Sequence, residues 1–413
     1  MEHKQSFFQR IGKDKRYIVF NLFFAYFTLG VALIMLGSVL PVLKADYALN
    51  YQVGGMLLSV QSIGYAVAGL GAGFLPLYLG LKKSFILLTS GTCIGMGMLL
   101  ASGNPVWLLT AMGLIGISKG AVTNYNNQIM TELAEGDAGP LNLMHAFFAI
   151  GACIAPFIVL LCGKVDASGW RLAVFLSAAA IGVGLLAMFR MNMRGSTAKQ
   201  EQNTEQNTEK TGVSYGFFKE KIFWITMLIC FFYQGIEGTM MGWLTSFFVD
   251  SHAMTDSFAQ VVTSALWIAL LIGRVSCSRL AARFKPSQMI LAMAIGQFVF
   301  LTVLVTSHSF AGMMIATIGL GLSMSGMYGT SVSNAGDLFA RYPVCMGFFV
   351  LMTSTGAVVA PAVVGAVANA SGMRMGISCL LFAATALVLM ALGNVRMGYL
   401  RRRRAKKANK QHA

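Results

Sequence analysis

Twelve stretches of roughly twenty apolar residues follow one another along this chain. That is the length of helix needed to cross about 30 Å of hydrocarbon. Inside a bilayer no water satisfies the backbone, so each stretch must bond its own N–H and C=O groups as a helix. The stretches run Tyr17–Val42, Gln52–Leu79, Ser84–Ser102, Pro105–Thr131, Pro140–Gly163 and Trp170–Arg190, then Ile222–Val249, Ser257–Arg283, Ser287–Ser307, Phe310–Asn334, Val344–Ala368 and Met373–Arg396. The thinnest divisions are at Asn104 and Ser309, where a single turn separates neighbours. Composition agrees: 56% of the residues are hydrophobic and 11% charged, against about 25% charged in a soluble domain. The expected fold is an all-α membrane protein of twelve spans.

Lys and Arg in the connecting segments set the expected orientation. They gather before span one (Lys4, Arg10, Lys13, Lys15, Arg16), after span two (Lys82, Lys83), around the middle of the chain (Arg190, Arg194, Lys199, Lys210, Lys219, Lys221) and after span eight (Arg279, Arg283, Lys285). The end of the chain adds Arg401–Arg404, Lys406, Lys407 and Lys410, whereas the opposite loops carry little beyond Lys44, Lys164 and Arg374. Both termini are therefore expected in the cytoplasm. The net charge of +16 comes mostly from this collar and tail. Its expected contact is anionic lipid headgroups rather than nucleic acid.

The chain divides near its centre. Residues 191–218 contain the polar run Gln200–Lys210 and are expected to form a cytoplasmic linker between a six-span bundle at 1–190 and a second at 219–396, followed by a basic tail at 397–413. The two bundles repeat each other. Gly151–Pro156 reads GACIAP and Gly356–Pro361, 205 residues later, reads GAVVAP. The same offset relates Gly116–Ser118 to Gly321–Ser323, and Gly30, Met35 and Gly37 to Gly235, Met240 and Gly242; Arg171 and Arg374, which open spans six and twelve, differ by 203. One shared offset across four helix pairs points to duplication.

The seven cysteines fall within or beside apolar stretches, with no CxxC pair and no His cluster, so neither disulfides nor a metal site is expected. No Walker loop, HExxH or nucleophile elbow is present, and no cofactor or enzymatic activity is expected.

Twelve spans, a central linker and a six-plus-six parallel repeat resemble the major facilitator superfamily over essentially the whole length. The loop signature of that family between spans two and three is present in part as GFLPLYLGLKK: Gly73, Gly80, Lys82 and Lys83 fit, while Leu77 and Tyr78 stand where the signature has Asp and Arg. Arg274, Arg279 and Arg283 stand in its second-half counterpart. Two further motifs resemble the branch of fucose and hexose proton symporters. They are NLMHAFFAIGACIAP from Asn142, which includes His145, and FYQGIEGTMMGW from Phe232 to Trp243. The resemblance implies alternating access, with spans one, four, seven and ten around a central cavity. Symporters of that branch carry acids in spans one and four, the latter four positions before an Asn. Here span one has none, and the position four before Asn124 is Gly120, beside Lys119.

Two charges stand in mid-membrane. Lys119 and Glu237 lie 14 and 15 residues from the starts of spans four and seven, about 20 Å along each helix. An intramembrane charge is costly and marks a pathway. Two readings stand: the charges pair across the substrate path, directly or through water, with protonation of Glu237 or arrival of solute opening the pair, or Lys119 caps carbonyls within its own half and Glu237 is a structural hydrogen-bonding group. Around Lys119, two stripes at i, i+4 spacing, Lys119, Thr123 and Asn127 beside Gly120, Asn124 and Gln128, form a polar face that lipid would not tolerate. Amides both donate and accept, which suits a polyhydroxylated or zwitterionic solute. Asn126 and Asn127 serve equally well as interhelical ties. Gln61, Tyr65, Tyr233, Gln234, Trp243, Trp267, Gln297 and Tyr328 are further candidates for solute contact, although aromatics in membrane helices commonly serve packing. His145 is expected to steady the acidic turn of Glu132, Glu135 and Asp137.

These observations lead to an expected secondary active transporter of a sugar or similar polar metabolite. Its partners would be a small solute, protons or sodium, and lipid, and it would act as a monomer in a bacterial cytoplasmic membrane. Efflux of drugs or metabolites is the competing transport reading. A transport-inactive sensor or scaffold is the competing reading of another class.

Overall fold

The computed structural model describes residues 11–71, 74–134, 138–165, 168–191, 215–250, 255–281, 283–342 and 345–411. Among the described residues there is helix and no strand. Among the described residues eleven helices are long and apolar enough to cross a membrane, and Tyr51–Gly71, 21 residues long and not one of the eleven, stands at the place of span two. The first six spans are Lys13–Asp46, Tyr51–Gly71, Leu81–Ala101, Pro105–Ala134, Ala138–Val165 and Gly169–Phe189. The second six are Lys221–Asp250, Asp256–Leu280, Pro286–Thr306, Phe310–Met324 with Met327–Asn334, Cys345–Ser371, and Met373–Ser378 with Leu380–Gln411.

The thin divisions hold because side chains cap the helix starts. Asn104 Oδ1 accepts from Val106 N at 2.9 Å, and Ser309 Oγ accepts from Gly312 N at 3.2 Å. Each satisfies a donor that the first turn leaves open. Pro156 and Pro361 sit inside continuous helices, as proline does in membranes when neighbouring groups meet the freed backbone.

The chain folds as two compact units, Met1–Gly212 and Val213–Ala413. In the first unit span one packs on five, two on four, and three on four and six. In the second, seven packs on eleven, eight on ten, and nine on ten and twelve. The matched glycines explain this common pattern. A Cβ on Gly151 would meet the carbonyl oxygen of Phe27, and one on Gly356 that of Phe231. Likewise a Cβ on Gly116 would meet the Gln61 carbonyl, and one on Gly321 would lie 2.6 Å from that of Leu266. Small residues let membrane helices approach backbone to backbone. The shared 205-residue offset is therefore a shared set of contacts.

Four features depart from the expected layout. Span ten is interrupted at Ser325–Gly326, whereas its repeat counterpart, span four, is continuous. The Ser325 hydroxyl bonds the Leu322 carbonyl at 2.7 Å, and Gln297 Nε2 bonds that of Ser323 at 3.3 Å, so side chains take carbonyls near the break. Span twelve continues as helix through the basic tail to Gln411 instead of ending near Arg396. The expected boundary at 218/219 cuts through Gly216–Lys219, a 3-10 turn whose Phe217 is fully buried among Phe223, Tyr342 and Phe348. Those residues belong to the second unit; positions 192–214 of the expected linker lie outside the described residues. In the loop after span two, Leu75–Leu79 forms a short helix, and Gly80, at φ +75°, turns the chain into span three. Lys82 and Lys83 thus stand in the first turn of span three. Lys82 Nζ donates to the Phe189 carbonyl at 2.7 Å, and Lys83 is exposed.

Candidate functional site

In the first unit, polar side chains from spans one, two, four and five converge. Lys119, half-buried, holds its ammonium 4.8 Å from the centre of the Tyr65 ring. A cation over an aromatic face is stabilised by about 0.5–2 kcal/mol, increasingly so as water is excluded. One turn along span four, the Thr123 hydroxyl bonds the Lys119 carbonyl at 2.8 Å. A further turn on, Asn127 Oδ1 accepts from the Tyr26 hydroxyl at 2.9 Å. The Tyr26 ring in turn meets His145 edge-on, with centroids 5.1 Å apart. Lys119, Thr123 and Asn127 therefore form a stripe lined by Tyr26 and Tyr65.

The neighbouring stripe behaves differently. Asn124 is exposed, and Gln128 Nε2 donates to Glu132 Oε1 at 3.4 Å. Asn126 is fully buried and donates to the Leu22 carbonyl at 3.1 Å, which makes it a tie between spans four and one. His145 was expected at the acidic turn; its ring meets that of Tyr26, and Glu135 and Asp137 of the turn lie outside the described residues. Gly73 and the side chain of Asn142 also lie outside them. Gln61 is half-buried, with Nε2 buried and without a hydrogen-bond partner among the described residues.

The second unit has its own polar centre. Glu237 is buried, at 9% exposure, and its carboxylate shares a side-chain hydrogen bond with Tyr233 one turn earlier in span seven. The charge of Arg274 acts on the same phenol. Sequence placed Arg274 with the residues of the cytoplasmic loop. The helix carries it six positions before the end of span eight, at Leu280, with its side chain exposed. Trp243 is fully buried and donates from Nε1 to the Pro361 carbonyl at 3.2 Å, joining spans seven and eleven. Tyr328 follows the break in span ten and lies 6.2 Å, centre to centre, from Phe349. Trp267 and Gln297 are buried in the packing of spans eight and nine.

Sequence reasoning missed Tyr26. A single tyrosine in an apolar run looks like packing, and only its hydrogen bond to Asn127 sets it apart. The signal available was its place in span one, opposite a span whose polar face already needed partners.

The family model described as Major Facilitator Superfamily matches residues 22–341. The chain belongs to that superfamily. It is a multi-pass integral membrane protein and a transporter rather than an enzyme. Among curated proteins, "Bypass of stop codon protein 6" of Saccharomyces cerevisiae is 22% identical over 273 residues, covering 61% of this chain and 54% of that protein. This chain thus spans about half of that relative's length. "Sodium-dependent glucose transporter 1A" of Mus musculus is 22% identical over 376 residues, covering 83% of this chain and 88% of that protein. Among solved structures, a D-xylose-proton symporter superposes with TM-score 0.75 at 14% identity, covering 92% of this chain and 97% of that one. The fucose:proton symporter of E. coli gives 0.58 at 19% identity, covering 92% and 99%. Both structures share the major facilitator fold with this chain.

Proposed function

We propose that this superfamily member carries a small, polar, sugar-like solute by alternating access, with transport driven by a cation gradient that acts on Glu237. The observation that carries the reading is the first-unit cluster of Lys119, Thr123 and Asn127 with Tyr26 and Tyr65. It offers hydroxyl and amide groups beside two aromatic rings. Hydroxyls and amides exchange hydrogen bonds with a polyol, and ring faces cover its apolar C–H surface. Glu237, hydrogen-bonded to Tyr233, supplies an acid able to take up and release a proton. The similarity to proteins named as glucose, xylose and fucose transporters supports the same class. In this reading the Lys- and Arg-rich loops face the cytoplasm, the basic end of span twelve meets anionic lipid, and a monomer suffices.

The test is uptake by proteoliposomes of D-glucose, D-xylose, L-fucose and uridine under no gradient, an inward proton gradient or an inward sodium gradient. Accumulation of a monosaccharide above equilibrium under one of the gradients is expected. Absence of monosaccharide flux under every condition rejects the sugar reading.

Tyr26→Phe provides a finer check. It removes the hydroxyl that donates to Asn127 Oδ1 at 2.9 Å and, more weakly, to the Thr123 carbonyl at 3.4 Å, together worth about 0.5–1.5 kcal/mol, and leaves the ring that packs on His145. The concentration for half-maximal uptake is expected to rise roughly threefold to tenfold, with the melting temperature in detergent little changed. An unaltered half-saturation places Tyr26 outside the solute's contacts.

A further inference from the structure

Ser168–Arg171 reads Ser-Gly-Trp-Arg, and Ser371–Arg374, 203 residues later, reads Ser-Gly-Met-Arg. Each arginine stands in the first turn of its span, six or twelve. A cation is disfavoured there, because the N-terminal end of a helix dipole is positive. What each arginine meets instead is the negative end of a neighbouring antiparallel helix, whose last carbonyls lack intrahelical donors.

In the first unit Arg171 Nη1 donates to the Leu100 carbonyl at 3.5 Å, in the last turn of span three. The two preceding carbonyls are also taken by side chains: Met98 accepts from Trp107 Nε1 at 2.8 Å and Leu99 from the Tyr47 hydroxyl at 3.0 Å. The guanidinium lies 5.6 Å from the centre of the Tyr47 ring and 5.0 Å from that of Trp170. Trp170 Nε1 then donates to Asp46 Oδ2, the last residue of span one, at 2.6 Å. In the second unit Arg374 Nη1 donates to the carbonyls of Val305 and Ser307 at 2.8 and 3.1 Å, at the end of span nine. Its guanidinium lies 6.0 Å from the Phe247 ring, near the end of span seven. Gly372, at φ +85°, makes the turn that places Arg374 there.

We propose that Arg171 and Arg374 are positioning residues, one per repeat, that tie the ends of spans one and seven to the outer spans three and six, or nine and twelve. The planar guanidinium is suited to this, since it donates to carbonyls in its plane while its face lies on an aromatic ring. At this end of each unit, span one or seven then moves with its outer neighbours instead of bending away from them. The proposal stands apart from the nature of the solute and from Glu237.

The experiment is hydrogen–deuterium exchange of the full chain in nanodiscs, without solute. Arg171→Gln is expected to raise uptake about threefold or more in peptides covering 44–50 and 98–107, as local opening becomes easier. Peptides covering 245–250 and 303–309 should stay as in wild type, and Arg374→Gln should give the mirror result. Lysine at either position is expected to restore less than half of the lost protection, because an ammonium lacks the fork and the plane. If Arg171→Gln does not yield monodisperse protein, Tyr47→Leu removes the ring and the hydroxyl on Leu99 and should open the same peptides. Unchanged exchange, or a rise in both units from one substitution, overturns the proposal. Uptake of tritiated D-glucose or D-xylose adds a functional readout, with maximal rate expected to fall and half-saturation to move less than about twofold. A raised half-saturation with an intact maximal rate also overturns it.

Discussion

Glu237→Gln is expected to abolish accumulation against a gradient while leaving exchange of solute across the membrane. Glutamine keeps the length of the side chain and an oxygen that can accept from the Tyr233 hydroxyl, so the local hydrogen bond survives. It cannot change charge. The driving cation enters the cycle only through a difference in its affinity between conformational states, and a group that cannot titrate contributes no such difference for protons. The loss of gradient-driven accumulation is expected to be roughly tenfold to a hundredfold, the range of an ordinary coupling free energy. Counterflow of labelled sugar with equal solute on both sides measures the surviving exchange. If accumulation under a proton gradient is unchanged in the variant, Glu237 has no part in coupling. Loss of accumulation and counterflow together would instead place it among the groups that hold solute.

Gly356→Val is expected to eliminate folded protein. The added Cβ would overlap the Phe231 carbonyl oxygen, a backbone atom of span seven that has no rotamer to escape into. Overpacking a core costs about 1–3 kcal/mol when side chains can adjust, and a backbone-to-backbone contact offers no such adjustment. Gly151→Val, which meets the Phe27 carbonyl, should fail in the same way in the other repeat. Gly393→Ala is the control, since nothing lies within 4 Å of its added Cβ. Fluorescence-detected size-exclusion chromatography should show a monodisperse peak for the control and its loss for both valines. A monodisperse Gly356→Val would mean that spans seven and eleven do not approach this closely.

The spans were legible because hydrocarbon imposes one length and one backbone solution on them. The repeat was legible because Gly116, Gly151, Gly321 and Gly356 sit where carbonyls of neighbouring helices press in, and no other residue fits. Span ten turns more polar at Ser325–Gly326, from FAGMMIATIGLGLSM to MYGTSVSN, but a change of hydropathy does not specify a break in the backbone, so the interruption was not legible. The polar stripe of span four could be drawn from i, i+4 spacing, but rotation about the helix axis separates Lys119, Thr123 and Asn127 from the exposed Asn124. Spacing along one helix does not say which neighbours wait on each side. That is also why Tyr26 emerged only with the packing.

The major helix pairings, one with five, two with four, seven with eleven and eight with ten, all join segments from the same half of the chain. For a protein threaded into the membrane from its N-terminus, the first six spans can find their partners while the second six are still on the ribosome. Assembly is thereby divided into two short searches rather than one long one. Two separately translated polypeptides, broken between the halves, would each contain the partners that their own helices require.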